Sequence, residues 1–143
     1  MQTKDYLGQI YRLDRTIKNK MTELAEYKTL AYNISAVCNS ERVQTSLTQD
    51  KIGNSIAKIE EMERKLDLMI DEYVDKKNLI ISQIDKIEKI EYYEVLIAKY
   101  VEKKNFEEIA AELGYTFRHI TRLHGEALQA FEKKYGKTYL SCP

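Results

Sequence analysis

The chain has 143 residues, with 23 Lys and Arg against 23 Asp and Glu, and it contains only one Pro and five Gly. Its length fits about one domain, and the scarcity of Pro and Gly favours an all-α fold over one built from sheets. A formal net charge of zero excludes a broad electrostatic attraction of the whole chain to nucleic acid or anionic lipid.

The N-terminal sequence MQTKDYLGQIYRLDR lacks the apolar stretch of a signal peptide, and no apolar run reaches membrane-spanning length. Cys38 and Cys142 are far apart, and neither has the spacing of metal ligands around it. We therefore expect a soluble, cytoplasmic protein with free thiols, and we expect neither a metal nor a cofactor.

Two stretches with heptad spacing are found in residues 1–90. From Ile10 the apolar residues recur at alternating steps of three and four, and a longer pattern runs from Ile52 to Ile87. Helices of about 33 and about 38 residues would match in length. We expect a long helical hairpin within the chain or a coiled coil between chains, which would make a homodimer. In another arrangement, both helices pack on the C-terminal domain of the same chain.

A polar connection separates the two heptad stretches, at about residues 36–51. The sequence CNSERVQTSLTQDKIGNS is rich in Ser, Thr, Asn and Gln, which is typical of a loop. The composition of the segment Ser40–Lys51 does not reveal its role. One option is that the segment becomes ordered only when it binds a partner.

Residues 91–136 are predicted to form a helix-turn-helix DNA-binding domain, with a tail over 137–143. Asn105, followed by Glu108, has the spacing of a capping box. Gly114 can supply the left-handed turn that ends the helix. Two short helices joined by a tight turn with Gly are typical of motifs whose second helix enters the major groove of DNA.

The second of these helices has an apolar inward face and a basic outward face. Its predicted inward residues are Ile120, Leu123, Ala127 and Phe131. No acidic residue occurs from Tyr115 to Gly125, so Arg118, Thr121 and Arg122 are candidates for contacts with base edges. The candidates for phosphate contacts are Lys99, Lys103, Lys104, Thr116, His119, Gly125, Lys133 and Lys134.

The run YYEVLIAKYVEKKNFEEIAAELGYTFRHITRLHGEALQAFEK, about the last third of the chain, resembles the promoter-reading C-terminal region of bacterial sigma factors. The whole chain resembles small prophage proteins of Gram-positive bacteria, which are related in this region to phage late-gene transcription activators. The resemblance implies that Phe117, Arg118, Thr121 and Arg122 face the groove. Sigma factors often carry Arg-Glu where this chain has Phe117-Arg118, so the base preference is not carried over.

Two histidines, His119 and His124, lie five residues apart with no third metal ligand at a suitable spacing. We expect both to be solvated or to flank phosphates. Their protonation near about pH 6.5 would then strengthen DNA binding in mild acid.

These features predict a sequence-specific DNA-binding transcription regulator, a phage-type activator that acts at promoters with host RNA polymerase. No segment resembles the sigma regions that hold the polymerase core, which argues against an autonomous sigma factor. The alternatives are a DNA-packaging adaptor of the small-terminase type and a protein-interaction module without DNA binding. Carboxylate pairs such as Glu107 and Glu108 are predicted to be solvated, and no catalytic motif is present, so we do not expect an enzyme.

Overall fold

The computed structural model describes residues 1–40 and 46–141, with side chains described for residues 1–33 and 52–141. Every regular element within these ranges is a helix, so the all-α prediction is confirmed. The elements are α1 (Thr3–Leu7), α2 (Gln9–Ser40), α3 (Ser46–Asp85), α4 (Ile90–Leu96), a π-helix (Ile97–Val101), α5 (Phe106–Leu113) and α6 (Phe117–Tyr139).

The long helices extend into the segment 36–51 that was predicted to be a loop. α2 continues to Ser40 and α3 begins at Ser46. The segment contains neither Pro nor Gly, so its polar composition lowers helix propensity only mildly and nothing in it breaks a helix. The centre of the predicted loop, residues 41–45, lies outside the described residues, as do Cys142 and the side chain of Cys38.

The predicted tail, residues 137–143, begins inside α6, which ends only at Tyr139. The Tyr139 side chain is buried, and its ring stacks on that of Tyr6 with the centroids 4.3 Å apart. The hydroxyl groups of Tyr139 and Thr3 form a hydrogen bond of 2.9 Å. Burial of this aromatic side chain extends the helix beyond the predicted end, whereas residues 142–143 lie outside the described part of the chain.

The chain divides into two compact units, and the boundary differs from the predicted one at residue 90. One unit contains Met1–Leu13 and Tyr73–Pro143, and the other contains Asp14–Glu72. The reason is the core of the first unit, in which Leu7 and Ile84 are buried together with Phe131. The two ends of the predicted N-terminal domain thus belong with α4, α5 and α6.

The larger unit contains two clusters of buried side chains that α6 shares. One cluster contains Tyr6, Leu7, Ile10, Ile80, Ile84, Leu96, Ala127, Leu128, Phe131 and Tyr139. The other contains Val95, Ala98, Ile109, Ala110, Ile120 and Leu123. All four predicted inward residues of α6 are therefore buried, because their spacing of three and four residues places them on one side of the helix. The outward side of α6 remains available for other contacts.

The smaller unit, Asp14–Glu72, contains parts of α2 and α3 whose side chains meet within one chain. Lys28 Nζ lies 2.6 Å from Glu63 Oε1, and the Lys58 ammonium lies 5.0 Å from the centroid of the Tyr27 ring. Several apolar side chains of this unit are at least half exposed, namely Met21, Leu30, Tyr32, Ile56 and Leu68.

Candidate nucleic-acid interface

The N-terminal end of α5 is fixed by Asn105. Asn105 Oδ1 accepts a hydrogen bond of 2.8 Å from the backbone N–H of Glu108, and Asn105 Nδ2 donates one of 3.1 Å to Glu108 Oε1. The glutamate of a capping box bonds to the backbone N–H of the cap residue, whereas Glu108 bonds to the side-chain amide. The spacing predicted the pair of residues, and the structure shows this variant of the contact.

A turn of three residues, 114–116, joins α5 to α6. Gly114 has φ 72° and ψ 28°, and the backbone N–H of Tyr115 donates a hydrogen bond of 3.0 Å to the carbonyl oxygen of Ala110. Only glycine adopts this left-handed conformation without strain. Thr116 Oγ1 then accepts a hydrogen bond of 3.1 Å from the backbone N–H of His119. The turn thus ends one helix and starts the next within three residues.

The packing of α5 against α6 determines which side of α6 faces solvent. Ile109 and Ala110 of α5 are buried in the same cluster as Ile120 and Leu123 of α6. The small Ala110 side chain allows the two helices to approach closely. Residues on the opposite side of α6 therefore face outward near its N-terminal end.

Five of the predicted contact residues line one open recess at the start of α6. They are Thr116, Arg118, His119, Thr121 and Arg122. The Arg118 and Arg122 side chains are exposed and lie one helical turn apart. Thr121 Oγ1 donates a hydrogen bond of 2.9 Å to the carbonyl oxygen of Arg118, which orients its methyl group as well. The recess combines two guanidinium groups with two threonine side chains and one imidazole.

Arg122 has two neighbours on its own helix. Its Nη2 lies 3.0 Å from His119 Nδ1, and its Nε lies 3.9 Å from Glu126 Oε1. Glu126 lies one residue beyond the stretch without acidic residues, which ends at Gly125. The sequence analysis therefore did not predict its contact with Arg122, although the i, i+4 spacing indicates such a pair. An exposed ion pair of this kind is worth about 1 kcal/mol or less, so Arg122 can exchange partners at little cost.

Phe117 lies at the edge of this recess and contacts α5. Its ring centroid is 6.2 Å from that of Phe106, in an edge arrangement at 82°. About half of the Phe117 side chain, 52%, remains exposed. Phe117 is therefore anchored between the two helices and presents its outer half beside Arg118.

The predicted phosphate contacts are distributed over separate parts of the larger unit. Lys103 and Lys104 lie between the π-helix and α5, and Lys104 Nζ is 2.8 Å from Glu102 and 2.6 Å from Glu112. These two carboxylates raise the pKa of Lys104 to about 12. Gly125 is exposed on α6, and a Cβ atom added there would meet no neighbouring side chain within 4 Å.

Two further predicted phosphate contacts lie on the C-terminal half of α6. Lys133 lines a different recess from the one that contains Arg118, and Lys134 Nζ donates to the carbonyl oxygen of Lys86. The structure therefore does not bring these two lysines together with the arginines.

The prediction that His124 is solvated is wrong. His124 is only 6% exposed, and its Nε2 lies 2.8 Å from the hydroxyl oxygen of Tyr100. Its ring also meets the edge of Phe106, with the centroids 5.0 Å apart. The pKa of His124 is lowered to about 4, mainly because burial disfavours the charged ring and to a smaller extent because of the positive charges of Lys4 and Lys99. His124 is thus neutral near pH 6.5 and does not strengthen anion binding there.

The position of His124 could have been read from the helical spacing. It lies four residues after Ile120 and seven before Phe131, both of which were predicted to face inward. A residue at these separations shares their side of a helix. Because histidine is polar, His124 was not counted among the apolar residues whose spacing predicted the inward side of α6.

Comparisons with protein-family models, curated proteins and solved structures find no match to the chain. Among the described helices, none has the length and apolar character needed to cross a membrane. The described residues also contain no group of three or more His, Cys, Asp or Glu that could hold a metal ion.

Proposed function

We propose that the chain is a non-enzymatic, sequence-specific DNA-binding transcription regulator that inserts the start of α6 into the major groove. The observation that carries the proposal is the recess in which Arg118 and Arg122 are exposed side by side with Thr121. The short α5, the three-residue turn and α6 have the order and caps of a helix-turn-helix.

The chemistry of the recess suits base edges. A guanidinium group can donate two hydrogen bonds to the O6 and N7 atoms of guanine, and threonine can touch a thymine methyl group. Arg118 and Arg122 are separated by one turn of α6 and would reach neighbouring base pairs. Phe117 adds an apolar edge that can meet a thymine methyl group, and His119 would lie towards the phosphates.

The resemblance of the last third of the chain to the promoter-reading region of sigma factors supports a phage-type activator. In this proposal α6 binds a promoter site in the cytoplasm while another surface contacts host RNA polymerase. The contacts of Lys28 with Glu63 and of Lys58 with Tyr27 support pairing of the long helices as a hairpin within one chain.

A DNA-packaging adaptor is the second candidate, and one observation favours it. The smaller unit exposes large apolar side chains, including Leu30, Tyr32 and Leu68, which self-association would cover. A small-terminase type of adaptor forms a closed ring of many subunits, whereas the activator is a monomer or dimer. The mass in solution from light scattering distinguishes these two states.

The proposal is tested by comparing two substitutions on duplexes of different sequence. Arg118→Ala is expected to cost about 1–3 kcal/mol on the preferred duplex and to relax the preference at one base pair. Lys133→Ala is expected to weaken all duplexes alike, because a phosphate contact carries no sequence information. Fluorescence anisotropy with labelled duplexes measures both effects.

The matched control is Arg64→Ala, which removes an exposed guanidinium group from the smaller unit. It should leave the affinity for every duplex unchanged. Equal effects of Arg118→Ala and Lys133→Ala on every sequence would contradict the proposed role of α6.

A further inference from the structure

Arg122 is held on two sides by side chains of its own helix. His119, three residues before it, and Glu126, four residues after it, share its side of α6 because an α-helix repeats every 3.6 residues. Arg122 Nη2 lies 3.0 Å from His119 Nδ1, and Arg122 Nε lies 3.9 Å from Glu126 Oε1. The contacts involve two different nitrogen atoms, so together they restrict both the position and the plane of the guanidinium group.

The contact with Arg122 determines which nitrogen of the His119 ring carries the hydrogen. A guanidinium group has N–H donors and no acceptor, so His119 Nδ1 accepts this hydrogen bond. The hydrogen of the neutral ring is then on Nε2, where it can be donated to a phosphate oxygen. The edge of the Tyr115 ring meets the imidazole with the centroids 4.7 Å apart, which restricts His119 in turn.

Glu126 is anchored by a residue from another helix. The hydroxyl group of Tyr92, in α4, donates a hydrogen bond of 3.1 Å to Glu126 Oε2. The Tyr92 ring packs against both clusters of buried side chains in the larger unit. One carboxylate oxygen of Glu126 is thus bonded to a residue of the core, while the other oxygen is the one that lies near Arg122.

The exposure of these side chains increases from the anchor to the arginine. Tyr92 is half-buried, the Glu126 side chain is 43% exposed and the Arg122 side chain is 66% exposed. The guanidinium group is therefore the outermost of the three charged or polar groups. This order suits a residue that positions another one, because the group that reads a base must reach furthest into the groove.

The two contacts do not use all the donors of Arg122. A guanidinium group has five N–H bonds. One is donated to His119, and the Nε–H is the one nearest to Glu126, so three remain for the paired hydrogen bonds to guanine O6 and N7. An exposed ion pair is also too weak to withhold the arginine from a base. The contacts thus orient Arg122 without occupying it.

Orientation before binding changes how well an arginine discriminates between base pairs. A flexible side chain loses conformational entropy when it is immobilised on a base edge, and this loss weakens the specific complex. A side chain that is already held loses less, and it favours the base whose acceptors match the held geometry. The negative charge of Glu126 repels phosphates at the same time. Glu126 should therefore increase discrimination without increasing the affinity for DNA in general.

We propose that Glu126 is a positioning residue that orients Arg122 for reading a base, with Tyr92 as its anchor and His119 as the second support. The inference rests on the proposed function and deepens it, because it makes the preference at one base pair depend on two groups that do not touch DNA. Arg118 lies eight residues from Glu126, about 12 Å along the helix axis, and reads its base without this support.

The test measures the preference at each base pair with labelled duplexes. The starting duplex is the one that the unmodified chain enriches most from a random pool, and each of its base pairs is then replaced in turn. Arg122→Ala identifies the base pair that Arg122 reads and should lower the preference there by about tenfold or more. Glu126→Gln should lower the preference at the same base pair by about fivefold, and Tyr92→Phe should lower it by a smaller factor. The preference at the base pair read by Arg118 should be unchanged.

A duplex without the preferred sequence separates positioning from direct contact with DNA. Glu126→Gln removes a negative charge close to the phosphates, so its affinity for this duplex should not fall. A loss of affinity for this duplex would mean that Glu126 itself makes a favourable contact with DNA, and it would overturn the inference.

NMR relaxation of the arginine side chains tests the same inference without DNA. The order parameter of the Arg122 Nε–H group should fall in Glu126→Gln and in Tyr92→Phe, because each variant removes part of what holds the guanidinium group. An order parameter that is the same in both variants as in the unmodified chain would mean that Glu126 does not orient Arg122.

Two matched variants control for the chemical changes. Glu107→Gln removes the same charge from an exposed position on α5. Tyr135→Phe removes a buried hydroxyl group that has no hydrogen-bond partner within the described part of the chain. Both should retain the preference at every base pair and the order parameter of Arg122. Circular dichroism on heating verifies that each variant is folded, and if Tyr92→Phe does not fold, Glu126→Gln decides.

The outcomes separate the inference from the proposed function. If the unmodified chain selects a motif and Glu126→Gln retains the full preference at the base pair of Arg122, the inference is overturned while the proposed function stands. The same follows if Glu126→Gln relaxes a different base pair, or if Arg122→Ala changes no preference. If the unmodified chain binds no duplex, both the inference and the proposed function are overturned.

Discussion

The two units of the chain use the same helical spacing with very different results. In the unit of Met1–Leu13 and Tyr73–Pro143, side chains such as Leu7, Ile80 and Phe131 are 0% exposed. In Asp14–Glu72 the most buried of the described apolar side chains, Ile17, still has an exposure of 7%, and Leu68 has one of 64%. Several helices can enclose a side chain, whereas two long helices leave one flank of each in water. Apolar spacing therefore predicts a helix but not the completeness of its core.

The largest expected change in stability comes from creating a cavity in the core of the larger unit. Phe131→Ala should lower the free energy of unfolding by about 3–5 kcal/mol, because it removes a fully buried aromatic side chain. Leu68→Ala, in the exposed part of the smaller unit, should change it by about 0.5 kcal/mol or less. Urea unfolding at several protein concentrations measures both.

The same two variants also test whether the smaller unit is less completely buried than the larger one. A loss for Leu68→Ala as large as that for Phe131→Ala, and dependent on protein concentration, would mean that the smaller unit is buried in an oligomer. The exposed residues of that unit would then belong to a core shared between chains.

The next effect concerns pH and the buried His124. The pKa of His124 in the folded chain, about 4, is below its ordinary value of 6.5, so the unfolded chain binds the proton more readily. Neutral His124 therefore makes its full contribution to the free energy of unfolding above about pH 6.5. As the pH falls towards about 4, the free energy of unfolding decreases by on the order of 3 kcal/mol in total.

Unfolding free energies measured from neutral to acidic pH test this prediction. His124→Gln should remove this part of the acid sensitivity. The matched variant His119→Gln, on the same helix, should retain it. The burial of His124 would have no thermodynamic consequence if both variants lost stability in acid to the same extent as the unmodified chain.

Two glycines of the larger unit should respond to alanine in opposite directions. Gly114 has φ 72°, so Gly114→Ala should destabilise by about 1–2 kcal/mol. Gly125 lies within α6 with no atom within 4 Å of an added Cβ, so Gly125→Ala should stabilise by about 0.5–1 kcal/mol. Thermal unfolding measures both, and a destabilised Gly125→Ala would disagree with the open surroundings of this residue.

Gly125→Ala also bears on the DNA interface. If a phosphate approaches the backbone at Gly125, the added methyl group should weaken DNA binding although it stabilises the fold. Stability and affinity would then change in opposite directions in one variant.

An effect smaller than that of Gly114→Ala is expected at the first turn of α5. Asn105→Ala removes the hydrogen bond that the backbone N–H of Glu108 donates to Asn105 Oδ1 and should cost about 1 kcal/mol. Asn105→Asp retains an oxygen at the same position and should cost much less. Equal losses for the two variants in urea unfolding would mean that the cap contributes nothing.

The parts of the fold that depend on near neighbours were predictable from the sequence. The caps at Asn105 and Thr116 and the turn at Gly114 involve residues no more than five positions apart, and the inward face of α6 follows from its spacing. Arg118 and Arg122 were expected to be exposed for the same reason, and they are.

The parts that depend on distant contacts were not predictable. Tyr6 donates a hydrogen bond to Gln83, 77 residues away, and Thr3 forms a hydrogen bond with Tyr139, 136 residues away. No local pattern indicates such pairs, so the sequence alone could not reveal that the N-terminal segment joins the core of α6.

The most direct test of the central proposal is selection of bound sequences from a random duplex pool at about 50 and about 200 mM salt. The unmodified chain is run beside Arg118→Ala/Arg122→Ala, with Arg15→Ala/Arg64→Ala as a control that removes two exposed guanidinium groups from the smaller unit. We expect the unmodified chain and the control to enrich one motif, the α6 variant to lose it, and affinity to fall as salt rises. Absence of enrichment by the unmodified chain, or the same motif from the α6 variant, would contradict the assignment of α6 as the helix that reads DNA.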